Sequence, residues 1–435
     1  MTITSARRGA SVRRTRPTRR RRRVAAGRGC RRAPVQRAYL TAALLRCGLY
    51  LGPISVAVAA AGQLSRVAWP VPLVTLLLGW TAAQALTGTG VAVARRAGHA
   101  AAARLVGCGF AAMAGLWSAL VWVAPPSLAG PERGMALVIG LGGLASLATV
   151  TAALVTRAEA AIVGWSLPCW ALAVAAMAGY PVGTLLPAAI VAATVRAFRP
   201  VVIPGVKGRP PKLSRAELHR GAAYLIIGAS QAICVGVLWR AGPSGSTMPF
   251  WLPLLLAVPI LEALIGWHID QVDAGLDAAE SGADFGRHVR GVTVVTLAGL
   301  LPPLAVGVAL ALAAERVTPA NRPDVLAAAG GMLLGGVFAI TFLLAARTRI
   351  AVAAAVAAAP PLMLLLPLPA AGPLPNAVGV LAVTHAAGLL VVALTAADER
   401  RAVTPTDPRR RSAARRYRRP PPENAVTATD ERRTP

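Results

Sequence analysis

Acidic residues are the scarcest polar groups in this chain. Its 435 residues include 46 Lys and Arg against 17 Asp and Glu, and no acidic residue precedes Glu132. Charged residues of all kinds make up 14%, where a soluble chain carries about a quarter. The polar cover that a water-facing surface needs is therefore missing, and a soluble globular protein is excluded. Cysteine is sparse too, at five residues, with no CxxC and no Cys/His pair at metal-binding spacing. That excludes a disulfide framework and a zinc site. The five His (His99, His219, His268, His288, His385) are scattered. No Gly-x-Ser-x-Gly, HExxH or phosphate-loop motif occurs, so neither hydrolysis nor nucleotide-driven work is expected. The chain reads as a protein that is not an enzyme and needs no cofactor or metal.

What is abundant is apolar: 55% of the residues are hydrophobic. A helix crossing the hydrocarbon core of a bilayer takes about 20 apolar residues. By that rule twelve spans are predicted, near 39–61, 67–92, 104–124, 134–156, 160–179, 182–198, 221–240, 250–269, 290–314, 324–346, 350–370 and 375–397. Tyr180-Pro181 separates two short spans, and Pro360-Pro361 interrupts the eleventh. The expected fold is all-α, a polytopic membrane protein of about twelve transmembrane helices in two six-helix lobes.

The distribution of charge orients these spans. The formal net charge of +29 would ordinarily point to nucleic acid, but nineteen of those charges lie in the two tails, 1–37 and 398–435. With both termini cytoplasmic, 41 of the 46 basic residues fall inside, leaving Arg66, Arg133, Arg240, Arg316 and Arg322 outside. That is the bias of the positive-inside rule. Arg13-Arg14 lies some 24 residues ahead of the first apolar stretch, too far for a twin-arginine leader. The tails, Arg-rich at one end and Arg/Pro-rich at the other, read as disordered segments held near anionic lipid. A folded module with interleaved aromatics is lacking in both, so no nucleic-acid partner is expected. Ala, Arg, Gly and Val are in excess and Lys is limited to two, a usage that points to a high-GC bacterium and hence to its plasma membrane.

The basic loop 199–220 carries Pro200, Pro204, Gly205, Gly208, Pro210 and Pro211 and is expected to be extended rather than helical. It divides the chain into a first lobe, 38–198, and a second, 221–397. Halves of this kind suit a transporter that rocks two bundles about a central site. A faint repeat accompanies the split. Gly88 through His99 leads by way of Arg104 into span 3, and Phe285-Gly286-Arg287-His288-Val289-Arg290-Gly291 leads into Gly299-Leu300-Leu301-Pro302-Pro303 of span 9. These two patches, about 60 residues together, resemble the multidrug/oligosaccharidyl-lipid/polysaccharide flippase superfamily, in its polysaccharide exporter branch. The resemblance implies two six-helix lobes around a cavity and a lipid-linked sugar or other amphiphile as substrate. The chain departs from the drug-exporting members in having no acid before Glu132. The rival twelve-span family is the major facilitator superfamily. It expects Asp-Arg where Ala94-Arg95 stands and places a glycine one residue earlier than Gly98.

Charges inside apolar blocks are the candidate working groups, since a buried charge costs several kcal/mol unless paired or hydrated. Glu262 lies within Leu254–Trp267. It either faces a cavity and takes up a driving proton or cation, or pairs with an Arg near the inner end of its span. Arg46, about one turn inside span 1, either contacts a substrate phosphate or snorkels to headgroups. Gln84 and Gln231 are candidates for lining the same cavity or for bonding between helices. Asp270, Asp273, Asp277, Glu280 and Asp284 recur at spacings of 3, 4, 3 and 4, which would place all five on one helix face. That stripe is either a solvated face or a cytoplasmic gate that docks the basic tails or the central loop.

Three functions follow as expectations. The first is a secondary transporter or flippase for a polysaccharide or lipid-linked amphiphile, with glycan-synthesis proteins as expected partners. The second is a proton-coupled drug exporter of the major facilitator type. The third is a non-transporting membrane component of a synthesis or secretion complex. A wide cavity between the lobes separates the first two from the third.

Overall fold

The computed structural model describes residues 32–64, 66–202, 213–242, 248–279, 281–366 and 372–396, and among these every regular element is helical. Twelve helices form the body: α1 Arg32–Ala59, α2 Pro70–Ala97, α3 His99–Val123, α4 Arg133–Thr156, α5 Glu159–Met177, α6 Leu185–Ala197, α7 Arg215–Ala241, α8 Met248–Ala278, α9 Gly282–Ala313, α10 Arg322–Ala346, α11 Ile350–Met363 and α12 Pro373–Thr395. Ten are long and apolar enough to cross a membrane; α6 and α11 are shorter. At 13 and 14 residues, those two reach only about 20 Å. Pro360 and Pro361 fall in the last turn of α11, and Gly179, at φ +86°, lies in the connection between α5 and α6.

The boundaries depart from expectation where local capping overrides hydropathy. The first helix starts at Arg32, inside the expected tail. Pro34 sits in its first turn, where a missing N–H costs nothing. The stretch expected as a basic connector between spans 2 and 3 is helix on both sides, and Gly98 alone turns the chain, at φ +85°. That left-handed conformation suits a residue without Cβ. The central linker is also shorter than expected. Arg199–Val202 forms a helical turn, and α7 begins at Arg215 under a capping box in which Ser214 and Glu217 satisfy each other's backbone N–H. Residues 203–212 of the linker, the tail segments 1–31 and 397–435, and Glu280 lie outside the described residues.

Helices α1–α6 pack among themselves around Val93, Val106, Leu144, Ala152 and Ile162, and α7–α12 around Leu238, Leu333, Leu334, Ile340 and Leu343. The most enclosed helices are α4 in the first bundle and α10 in the second. Small residues let neighbours come close to α10. Gly330 lies against Leu238, Gly335 against Ala257, and Gly336 against the ring of His385. In a bilayer, where lipid is as apolar as Leu, this close packing is what holds helices together.

Among the described residues, two helix pairs make the main contacts between the bundles. Along α2 and α7, antiparallel, Gly236 meets Leu73, Gly228 meets Thr81 and Gln84, and Gly88 meets Tyr224. The second pair is α1 and α8.

Candidate functional site

Between the bundles lies a cavity of about 1800 Å³. Its walls come from α1, α2, α4, α6 and the end of α5 on one side and from α7, α8 and α10 on the other. Its rim includes Gln63, Arg66, Trp69, Gly183 and Gly242, all in or beside the connections at one end of the bundle. Arg240 of α7 stands over the Trp69 ring at 5.9 Å, so the rim is bridged from bundle to bundle by a cation–π contact.

The cavity reaches the pair α1 and α8. Pro53, Ile54 and Ala57 of α1 and Trp251, Leu254, Leu255 and Val258 of α8 border it. Below them the two helices meet. The Arg46 guanidinium donates to Glu262 Oε2 at 3.0 Å, and the Tyr50 hydroxyl donates to Glu262 Oε1 at 2.7 Å. Arg46 and Tyr50 are one helical turn apart, so both reach the same carboxylate from one face of α1. Glu262 is 17% exposed and Arg46 35%. Glu262 is the only carboxylate among the described residues lining the cavity. Glu262 thus borders the cavity and is paired with Arg46.

Arg46 does not line the cavity; its charge is engaged by Glu262. Gln84 lines the wall. Gln231 does not reach the cavity, because Trp80 stands in front of it. The Gln231 side chain is 2% exposed, accepts from the Trp80 indole N–H at 3.0 Å and donates to Thr341 at 3.3 Å. Trp80, from the first bundle, tilts against Phe338 of the second with centroids 5.8 Å apart. With Phe342 they make an aromatic wall across the seam.

At the end away from the rim a second charge pair crosses the bundles. Arg96, in the last turn of α2, donates to Glu217 Oε2 at 3.2 Å. The same oxygen accepts from the Ser214 backbone N–H at 2.7 Å. One carboxylate therefore starts α7 and holds α2.

The acidic stripe does not form as expected. Asp270, Asp273 and Asp277 are exposed on the last turns of α8, but Asp284 belongs to α9. Ser281 stops the run by capping α9. It accepts from the Asp284 backbone N–H and donates to its carboxylate, which also accepts from Arg287. A periodic spacing cannot register the chain reversal that such a cap produces.

Near the same end the second bundle holds a polar cluster. Thr296 donates to the Val292 carbonyl, so its oxygen accepts Nδ1–H of His268 at 2.8 Å. His268 Nε2 then accepts from Arg347 at 3.1 Å, and Arg347 also reaches Thr293 and the Val392 carbonyl. The network fixes a neutral imidazole and ties α8, α9, α10 and α12. Among the described residues, no three His, Cys, Asp or Glu converge as a metal site would require.

Sequence reasoning missed Tyr50, Trp80 and the Arg96–Glu217 pair. The signal for Tyr50 was its place one turn beyond Arg46, in a chain with only five Tyr.

No family model matches the sequence, and no curated protein matches it. Among solved structures, the chain is similar to the outward-facing conformation of a multidrug resistance MATE family transporter of the MOP superfamily. The TM-score is 0.53 at 13% identity, covering 85% of this chain and 97% of that one. The inward-facing conformation of such a transporter gives a TM-score of 0.49 at 12% identity, covering 84% and 96%. At that identity the likeness concerns architecture: the chain shares the fold of the outward-facing transporter.

Proposed function

We propose that this chain is a secondary transporter that moves an amphiphilic substrate, of the polysaccharide or lipid-linked class, across the plasma membrane by alternating access. The observation that carries the reading is the cavity itself. It lies on the seam between two bundles and reaches a rim at one end, and toward the other end two ion pairs, Arg46–Glu262 and Arg96–Glu217, tie one bundle to the other. Such contacts can open without unfolding either bundle, which is what rocking about a central site requires. Two charge-assisted hydrogen bonds hold Glu262, each worth on the order of 1.5–3 kcal/mol. That matches the roughly 5.5 kcal/mol needed to invert a two-state population from 1:99 to 99:1.

Orientation follows from charge. The end away from the rim carries Arg95, Arg96 and Arg215 and is assigned to the cytoplasm by the positive-inside rule. The cavity then faces outward. Its wall is mostly apolar and aromatic, with Gln84 and Thr87 deep in it and Arg66 and Arg240 at the rim. An apolar tail with an anionic or sugar-bearing head fits that arrangement, with the rim arginines taking the anionic group. In this conformation Arg46 is engaged by Glu262, so a role for Arg46 at substrate phosphate begins only once that pair has parted.

A proton-coupled exporter of drug-like molecules is the second reading, favoured by the carboxylate at the cavity floor. Proteoliposomes decide between the two. Movement of a fluorescent polyprenyl-pyrophosphate sugar supports the first reading. Export of a small aromatic cation, with no movement of the lipid, supports the second. Neither, from a monodisperse preparation, overturns transport and leaves a scaffold.

A further inference from the structure

The residue that ties α1 to α8 is also, among the described residues, the one acid that lines the cavity. Glu262 borders the cavity and, from α8, takes both Arg46 and Tyr50 of α1. We propose that Arg46, Tyr50 and Glu262 form a proton-released latch, in which a proton delivered through the cavity to Glu262 frees α1 from α8 and unseals the opposite end. This rests on the alternating-access reading and deepens it.

Release follows from hydrogen-bond capacity and charge. An ionised carboxylate only accepts, and its two oxygens serve Arg46 at 3.0 Å and Tyr50 at 2.7 Å. A protonated carboxyl carries one O–H that must donate; the Arg46 guanidinium cannot accept it, and the Tyr50 hydroxyl accepts it only by giving up its own donation to Glu262. The Tyr50 bond must reverse or break, and the charge attraction to Arg46 is lost. The proton ends on a Glu262 oxygen, whose charge is neutralised. Arg46 remains a cation, since guanidinium does not deprotonate. At 35% exposure it has solvent or headgroups to turn to. When the seam parts, Glu262 faces the other side and releases its proton there.

The surroundings leave Glu262 as the group that a proton in the cavity meets. From α1 it is faced by Arg46, Cys47 and Tyr50, with Glu159 of α5 beyond Tyr50. From α9, Gly299 lies against the neighbouring Leu264, and from α10 Gly335 lies against Ala257. Phe338 and Phe342 of α10 line the cavity itself. On α8 the next titratable group is His268, occupied by Thr296 and Arg347. The Arg96–Glu217 pair is absent from the cavity lining, so it follows the opening and does not trigger it.

The test uses the full chain in lipid nanodiscs, with its cysteines replaced and spin labels at Ala97→Cys and His219→Cys, which flank the Arg96–Glu217 contact. Distances are measured by double electron–electron resonance at about pH 8 and about pH 5. In the otherwise unaltered chain a short distance at the higher pH should give way to a long one in acid. Glu262→Gln and Arg46→Gln should each raise the open-to-closed ratio on the order of tenfold at the higher pH and abolish the acid response. The exchange Arg46→Glu with Glu262→Arg should restore the short distance, which separates a broken latch from a misfolded protein. A Glu262→Gln protein that keeps both the short distance and the acid response overturns the latch. If the latch behaves as stated but the chain moves no amphiphile in proteoliposomes, the transport reading falls and the latch stands.

Discussion

Trp80 of the first bundle donates its indole N–H to Gln231 of the second, and Gln231 passes a hydrogen bond on to Thr341. Trp80 and Phe338 are in ring contact on the cavity side of that chain. The strut thus sets the orientation of a wall residue from a buried position. Replacing Gln231 by Leu leaves the indole N–H without its acceptor, which costs about 1–3 kcal/mol for a buried donor. We expect a lower Tm in detergent and weaker binding of amphiphiles that quench tryptophan. Gln231→Glu, which keeps an acceptor, should lose less of both.

The α2–α7 seam depends on glycine at its closest approaches. A Cβ on Gly88 would lie 2.5 Å from the Tyr224 ring, and one on Gly228 would lie 2.9 Å from the Thr81 Cα. The first neighbour can swing; the second is backbone and cannot. Gly88→Ala should therefore be rescued by Tyr224→Ala, whereas Gly228→Val should have no single rescue. Labelling of a cysteine at Thr89 by a membrane-impermeant maleimide reads the separation. It should rise several-fold in each glycine variant, in line with a shift of about 1–3 kcal/mol from overpacking.

His268 holds four helices of the second bundle through Thr296 and Arg347. His268→Phe removes the acceptor for Arg347 and the donor to Thr296 together, and we expect a loss of about 2–4 kcal/mol. His268→Gln offers one donor and one acceptor and should recover part of it. Denaturation of the purified variants measures the difference. Transport per folded molecule should change little, since the cluster is away from the cavity.

Ser214 starts α7 by accepting from Glu217 N–H at 3.2 Å. Ser214→Ala should cost about 1 kcal/mol as a lost helix cap. Because the Glu217 carboxylate also holds Arg96, fraying of the first turn of α7 should propagate to the last turn of α2. Hydrogen exchange should speed up in both segments for Ser214→Ala, and in neither for Ser214→Asp.

Much of the architecture was legible because hydropathy is a property of single segments. Twelve apolar blocks announce twelve helices, and Arg46 and Glu262 announce themselves by standing where charge is costly. Their partnership was not legible. It joins positions 216 residues apart, and nothing in the local pattern of either helix names the other. Tyr50 stayed hidden because a tyrosine in an apolar block passes for an interface anchor. Which of its two roles Gln231 takes was not legible, because period and polarity give a residue's helix face but not which neighbour shields it. The acidic stripe failed at Ser281, where a cap began a new helix within a spacing that looked continuous.

The pairing of Arg46 with Glu262 also has a consequence for how the chain is made. Arg46 enters the membrane with the first helix, while its partner is still 216 residues from being synthesised. At about 5–20 residues per second that delay is roughly ten to forty seconds. Throughout it the newly inserted helix holds a cation without its counter-charge, drawn toward the headgroups by its long side chain. Arg46, and Arg96 after it, are supplied by the half that emerges first, and Glu262 and Glu217 by the half that emerges later. The first bundle is thus held in an unfinished electrostatic state until the ribosome delivers the second.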